Sequence, residues 1–285
     1  MSELPSLLEM LKAGVHFGHQ GSKWHPKMQP YIFGTKNGIH VIDLDKTLEE
    51  LEKTLAVVRT MASQGKVILF VGTKRQARSI IKEAAERCGM PFLVERWIGG
   101  LLTNFEECQR RLKKYKVLRD QVATGEIEKY TKKEQSTFKK QLIKLDKYLS
   151  GLIGIDKIPD ALYIADLRVE KTALTEARRV NVPVVAVCDT NVDPTKATYI
   201  IPANDDAVNS ILMMANLMAD AVLEGKEMGM KMKTEAAAMK AKEMPVAPSK
   251  PEAMKMDLDE TIVVKEKVST APKKEKRALK VTESV

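Results

Sequence analysis

With 285 residues, 44% of them hydrophobic, the chain can bury a sizeable core as one large domain or two ordinary ones. No stretch approaches the roughly 18 consecutive apolar residues of a helical membrane span, and Cys88, Cys108 and Cys188 lie far apart without CxxC spacing, as reduced packing thiols of a cytoplasmic protein would. The net charge of +9 is uneven: residues 104–150 hold 13 Lys/Arg against 7 Asp/Glu and residues 226–285 hold 14 against 10, which leaves a nearly neutral body with two basic appendages of the kind that seek a polyanion.

The opening "MSELPSLLEMLK" carries acids and no basic leader, so a secretory signal is not expected. "SLLEMLKAG" reads as a short amphipathic helix stopped by Gly14, and the glycines and prolines from Gly14 to Pro30 forbid long regular structure. In "YIFGTKNGIHVIDL", Asn37-Gly38 between two apolar runs predicts a β-hairpin. Leu48, Leu51, Leu55, Val58 and Met61 then recur at helical spacing, with Gly65 as the stop.

A repeated unit follows. "KVILFVG" is a strand that is apolar throughout, "TKRQARSIIKEAAERCG" a helix and "MPFLVERW" a second strand. The pattern resumes later as "IPDALYIAD", "VEKTALTEARRVN", "VPVVAVCDT", "ATYIIPAN" and "DDAVNSILMMANLMADAVLEG". Strands apolar at nearly every position are buried on both faces, so their alternation with helices predicts a parallel α/β sheet covered on two sides. The domain has two parts, residues 1–103 and 151–225. Between them, 104–150 holds two charged helices, about Asn104–Ala123 and Thr131–Leu149, each with a narrow apolar stripe (Leu112, Tyr115, Leu118 and Val122; Phe138, Leu142, Leu145 and Leu149). That pattern predicts an inserted antiparallel hairpin that projects from the sheet domain. Residues 226–285, rich in Lys, Met and Glu, read as a largely disordered basic tail whose first part can extend the preceding helix.

Three places carry candidate chemistry. Gly72-Thr73-Lys74-Arg75 lies between a strand and a helix, where open α/β sheets bind phosphate. Thr73 is the expected N-cap, and Lys74, Arg75 and Arg78 add charge. Neither GxxxxGK[ST] nor GxGxxG is present, so a phosphate presented from outside, such as a nucleic-acid backbone, fits better than a nucleotide. The alternative is an α/β enzyme that takes a phosphorylated small molecule at this turn. Charge reversal at Lys74 and Arg75 is expected to weaken that contact and leave the fold intact. Asp166, Asp189, Asn191, Asp193 and Asn204-Asp205-Asp206 follow later strands and read as loop and cap residues rather than catalytic ones. The third place is "GVHFGHQGSKWHPKM", with His16, His19 and His25. Gly14, Gly18 and Gly21 disfavour a helical HxxH face, and no cysteine or carboxylate completes a tetrahedral site, so no metal is expected; zinc on the three histidines is the alternative. With Lys23, Trp24 and Lys27 the segment suits a sugar-phosphate surface, and its glycines allow close approach to a partner.

"AGVHFGHQ", "WHPKMQPYIFGTKNGIHVIDL", "ILFVGTKRQA", "RWIGGLLTNF", "PDALYIAD", "VPVVAVCDTNVDP" and "IPANDDA" occur in this order and together cover about Glu9 to Gly225. They resemble the bacterial family of small-subunit ribosomal protein two. The resemblance implies a flavodoxin-like three-layer α/β domain with a protruding coiled-coil hairpin. It also implies a non-catalytic, cytoplasmic, ribosome-bound role near the junction of head and body. Such a protein joins late in assembly, binds rRNA beside neighbouring small-subunit proteins, and helps recruit the large mRNA-binding first protein. No membrane and no small-molecule substrate or cofactor is implied. Family elements fall on His16, His19, Lys23, Trp24 and Lys27, on Gly72, Thr73, Lys74 and Arg75, and on Arg96, Trp97, Gly99, Gly100, Thr103 and Asn104. Of these, His16, His19, Lys23, Trp24, Lys27, Lys74, Arg75, Arg96, Trp97 and Asn104, with Arg78, are the expected rRNA contacts. From the residues themselves, Arg110, Arg111, Lys113 and Lys114 at the hairpin root are expected to make further phosphate contacts, and Lys139 and Lys140 to be solvated. Gly99-Gly100 is expected to permit close backbone approach where sheet and hairpin meet, with a simple turn as a nearly equal alternative. His25 stands where the family often has Asn. Ala203 replaces a usual Gly, so a positive φ is not expected there.

Overall fold

The computed structural model describes residues 4–243. Strands β4 (Ile68–Val71), β5 (Phe92–Leu93), β6 (Ala161–Ile164), β7 (Val184–Cys188) and β8 (Tyr199–Pro202) form one parallel sheet in the order β5-β4-β6-β7-β8. Renumbered within the sheet that order is 2-1-3-4-5, the flavodoxin-like topology. Side chains alternate between the two faces. Ile68, Phe70, Tyr163, Val185, Val187 and Ile201 enter one core with helices α1 (Leu7–Lys12), α2 (Leu44–Ser63), α3 (Arg78–Cys88) and α7 (Val208–Glu243). Leu69, Val71, Leu162, Ile164, Val184, Ala186 and Cys188 enter the other, against α6 (Lys171–Val180). Two buried faces explain why these strands are apolar at consecutive positions.

A second, antiparallel sheet has the order β1-β3-β2, from β1 (Phe17–Gln20), β2 (Ile32–Lys36) and β3 (Ile39–Ile42). The hairpin forms where Asn-Gly predicts it: Asn37 at φ 53° and Gly38 at φ 77° make the tight turn that matches strand twist. Strand β1 is too short to have been visible among its glycines. Gly18 permits it, because a Cβ there would lie 2.6 Å from the Thr190 side chain. At Gly18 the close approach is thus to the chain itself, while Cβ atoms on Gly14 and Gly21 would make only ordinary contacts.

Residues 104–150 form α4 (Phe105–Ala123) and α5 (Lys132–Leu149), which meet through a hydrogen bond from Tyr115 to Asp146. The apolar stripe of α4 divides. Leu112 and Tyr115 sink into the second core with Cys108 and Leu149, while Leu118 and Val122 stay half-buried with Phe138, Leu142 and Leu145. Helix α7 runs past the expected boundary at 225 to Glu243. Gly225 and Gly229 let it lie on α2, since a Cβ at either would sit 2.4 and 2.3 Å from the carbonyl oxygens of Arg59 and Ser63. The tail expected beyond it lies outside the described residues. All three cysteines are free and buried, and none of the described helices is long and apolar enough to cross a membrane.

Gly72 is the close approach that seats the start of α3. A Cβ there would meet Ile81 at 2.7 Å. Gly72→Ala is expected to lose about 1–3 kcal/mol by overpacking, read as a lowered urea midpoint; an unchanged midpoint would show that α3 moves aside at no cost.

Candidate functional site

Because the strands of the large sheet are parallel, the loops after β4, β6, β7 and β8 converge on one edge, at the crevice where this topology usually binds ligands. Here the crevice is filled from within. Lys74 Nζ lies 3.1 Å from Asp166 Oδ2, 2.8 Å from Asp205 Oδ1 and 2.7 Å from Asp206 Oδ1, and donates at 2.7 Å to the Asp205 carbonyl. Only 16% of its side chain is exposed. Burial alone would lower its pKa, but the bonds to Asp205 and Asp206 outweigh this and raise it. Burial, with the charges of Asp166 and Asp189, pushes the Asp205 carboxyl up to about 7.

The acids do serve as loop and cap residues. Asp166 Oδ1 accepts from the N–H groups of Arg168 and Val169, Asp193 caps a short 3-10 turn, and Asn204 Oδ1 accepts from Asp206 and Ala207 just before α7. Asp166 and Asp189 also turn their other oxygens inward. His19 completes the cluster, with Nδ1 3.0 Å from Asp189 Oδ2 and Nε2 3.4 Å from Asp206 Oδ2. A ring facing a carboxylate at each nitrogen is best satisfied as imidazolium, and the bond to Asp189 leads the effects that raise its pKa.

The histidines do not converge as a zinc trio. Among the described residues the group whose ligand atoms lie within 4.8 Å of one another is His19, Asp205 and Asp206, where Lys74 already supplies positive charge. His16 stacks on Phe17 with ring centroids 4.0 Å apart, and burial lowers its pKa. His25 Nδ1 accepts from the Lys27 N–H, and its own N–H donates at 2.7 Å to Thr190. Lys27 reaches Asp193 at 3.0 Å, and Asn204 clamps Gly14 and Val15. His19, Lys27 and the backbone of Gly14, Val15 and His25 therefore fasten this segment to the loops after β7 and β8.

Other expectations change on the same grounds. Thr73 does not cap α3, whose first flanking residue is Ala77; its hydroxyl and N–H donate instead to Glu170, a carboxyl that burial holds above its ordinary pKa. Arg78 bonds the Thr73 carbonyl at 3.0 Å and Glu95 at 3.1 Å. Trp97 is buried, with its indole N–H donating at 2.9 Å to Glu176. Gly100, at φ 84°, makes a turn and a Cβ on it would lie 3.3 Å from Asn104 Cβ, while a Cβ on Gly99 would meet open space, so of the two readings the turn fits the pair better. Ala203 needs no positive φ. The charge reversal expected to spare the fold cannot do so at Lys74, which neutralises buried carboxylates.

Glu176 was invisible in the sequence, where it is one acid on an amphipathic helix. In the fold it is buried and accepts from Trp97 Nε1 and the backbone of Gly100 at 2.9 Å, the backbones of Leu102 and Thr103 at 3.1 and 3.4 Å, and the Thr103 hydroxyl at 3.3 Å. It thereby holds the loop that launches α4. Burial pushes its pKa up, but these donors prevail and hold it below the ordinary carboxylate value.

What remains outward is cationic. Lys23, Arg75, Arg110, Arg111, Lys113 and Lys114 are exposed, as are Lys139 and Lys140. Arg96 lies 5.9 Å over the Tyr148 ring, and Arg110 and Arg111 touch Glu107 only at 3.5 and 3.4 Å. Trp24 is 36% exposed beside His40, and Asn104 is exposed without capping α4.

Fold and site together define a parallel α/β scaffold whose crevice is closed by its own charges and whose surface suits an anionic partner: a binding protein. The family model described as ribosomal protein S2 matches residues 10–225. Proteins named small ribosomal subunit protein uS2 are 50% identical over 222 residues in Coprothermobacter proteolyticus (78% of this chain, 83% of that one) and 51% over 217 residues in Endomicrobium trichonymphae (76% and 89%). One from Fusobacterium nucleatum is 48% identical over 223 residues (78% and 90%). The chain belongs to the ribosomal protein S2 family, whose members are structural proteins and not enzymes.

Proposed function

We propose that this chain is a structural component of the small ribosomal subunit, cytoplasmic and ribosome-associated, which binds rRNA near the head–body junction and joins late in assembly. The observation that carries the reading is the division of charge. Lys74 is spent inside the crevice on three aspartates, while Lys23, Arg75, Arg96, Arg110, Arg111 and Lys114 stay exposed. Those exposed side chains, with His16, Trp24 and Asn104, are the proposed contact surface. His19, Lys74 and Trp97 act beneath it by holding its loops, and Lys27 and Arg78, themselves partly outward, pair with Asp193 and Glu95. Helices α4 and α5 form an antiparallel coiled-coil hairpin. Blotting for the chain across sucrose gradients of lysate is expected to place it with the small subunit at moderate salt and to release it progressively as salt rises. A signal that stays at the top of the gradient at both salts would overturn the reading in favour of an enzyme that takes a phosphorylated small molecule.

A second face supports recruitment of the large mRNA-binding first protein. Phe33 is 80% exposed and Phe17 52%, and with His16, Ile39 and Val41 they line an open groove of about 500 Å³. Exposed aromatic side chains gathered in this way mark protein contacts. Phe33→Glu is expected to leave the chain on the subunit and to strip the first protein from it at least tenfold, read by blotting purified subunits. Full retention of the first protein would remove this face from the assignment.

A further inference from the structure

Helix α6 presents two faces of opposite use. Its inner face carries Ala173, Leu174, Ala177 and Glu176, the last holding the loop before α4. Its outer face carries Lys171, Thr175, Arg178 and Arg179, at the i, i+4, i+7 and i+8 spacing that puts side chains on one side of a helix. Lys196, from the turn after β7, closes a groove of about 570 Å³ over Leu174.

The four cations of this groove have no ion pair among the described residues. On α2 and α3 surface cations are matched, Lys53 with Glu49 and Glu50, Lys82 with Glu86, and Arg87 with Asp220. Lys133, Lys139, Lys140 and Lys144 on α5 are exposed without an ion pair among the described residues, but line no common groove with a second element. The acids nearest in sequence are already engaged. Glu170 accepts from Thr73, Glu176 accepts from the 97–103 loop, and Asp193 pairs with Lys27. Four like charges converge with no internal partner, a self-repelling arrangement that an external anion relieves. The first to last cation on α6 spans about 12 Å of helix axis, roughly the rise over which one nucleic-acid strand presents three or four phosphates. No aromatic side chain lines the groove, so stacking of unpaired bases has no platform there.

We propose that this groove is a further rRNA-contact surface, which holds the sugar-phosphate backbone of a base-paired RNA segment through Lys171, Arg178, Arg179 and Lys196. The assignment rests on the reading of the chain as an rRNA-binding protein and adds a surface that the sequence did not disclose. The two arginines offer bidentate forks to phosphate oxygens and the two lysines point charges. Recognition is by charge and shape, without base reading.

The test uses the full chain and transcribed small-subunit rRNA, with filter binding from low to high salt. Two variants of equal charge change are compared: Lys171→Gln/Arg178→Gln/Arg179→Gln/Lys196→Gln, and Lys133→Gln/Lys139→Gln/Lys140→Gln/Lys144→Gln on α5. All eight side chains are exposed, so both variants are expected to keep the wild-type unfolding midpoint. The groove variant is expected to lose at least tenfold in affinity at physiological salt and to flatten the slope of log K against log salt by about 3–4, near one for each phosphate contact. The α5 variant is expected to lose less than threefold. Equal losses in the two would reduce the groove to part of a diffuse field and overturn the proposal. Wild-type rRNA affinity in the groove variant would also overturn it, and if subunit association were lost at the same time, an acidic protein partner would be the occupant. Failure of the unaltered chain to bind rRNA in a salt-dependent way would instead remove the RNA reading itself.

Discussion

Glu176→Ala is expected to lower stability by about 3–5 kcal/mol, because it strips the acceptor from several buried or half-buried donors at once. Trp97 Nε1 and the backbone N–H groups of Gly100, Leu102 and Thr103 would all lose their partner. Each orphaned donor costs on the order of 1–3 kcal/mol, and entering water recovers part of that. In a body of this size the thermal midpoint should fall by about 10 °C. Glu176→Gln, which keeps the shape but turns one acceptor into a donor, should cost about 2 kcal/mol. The pH dependence follows from a carboxyl held below its ordinary pKa. Its stabilisation is present above the unfolded-state value and is lost as pH falls through the folded-state one, so the wild-type advantage over Glu176→Ala should shrink in acid. Proteolysis should also open the 97–104 loop first, since that loop orients the root of α4. A midpoint within 2 °C of wild type would mean that water replaces the carboxylate without loss.

Lys74→Met should be comparably damaging, at about 3–5 kcal/mol, for an electrostatic reason. It leaves Asp166, Asp205 and Asp206 crowded together without the ammonium that neutralises them. Arg75→Glu, one residue along but exposed, should change stability by less than about 0.5 kcal/mol. That contrast separates an internal counter-ion from a surface phosphate ligand. The sign of the pH effect is opposite to that of Glu176. Asp205 in the folded chain already holds its proton up to about 7, so its ionisation disfavours the fold as pH rises from the ordinary carboxylate range toward neutrality. Without Lys74 this burden grows, and the deficit of Lys74→Met should be smaller at pH 5 than at pH 8. Lys74→Met/Asp205→Asn should recover part of the loss. Equal midpoints for Lys74→Met and wild type across that range would show that solvent screens the cluster and that Lys74 is free to meet an external phosphate.

These two residues show where the sequence was silent. Lys74 follows an apolar strand and precedes a helix, a placement that fits a phosphate-facing turn as well as an internal ion pair. Its partners Asp166, Asp205 and Asp206 lie some 90 to 130 positions away, and nothing local announces that the loops after β6 and β8 reach the one after β4. Glu176 is harder still, since an acid between Thr175 and Ala177 carries no sign that it faces inward. Trp97 illustrates the reverse error. The family motif offers Trp97 as an rRNA contact, yet the fold turns the indole into the second core and its N–H donates to Glu176.

The local features were legible because they depend on neighbours in the chain. The Asn37-Gly38 turn, the stop at Gly65, the helix from Leu44 and the fully apolar strands follow from φ preference and hydrophobic period. So do the two charged helices of the insertion, although the sequence did not show that Leu112 and Tyr115 join the domain core. The seven ordered motifs carried the family, and with it the flavodoxin-like sheet order that periodicity leaves open. Residue types and spacing announced most of the elements, β1 apart, and that the positive excess sits on residues 104–150 and 226–285. The placement of each charge, inside as counter-ion or outside as ligand, was set by the tertiary fold. Burial and pairing are properties of residues brought together across the sheet, and a carboxylate far along the chain competes with an external phosphate for the same lysine.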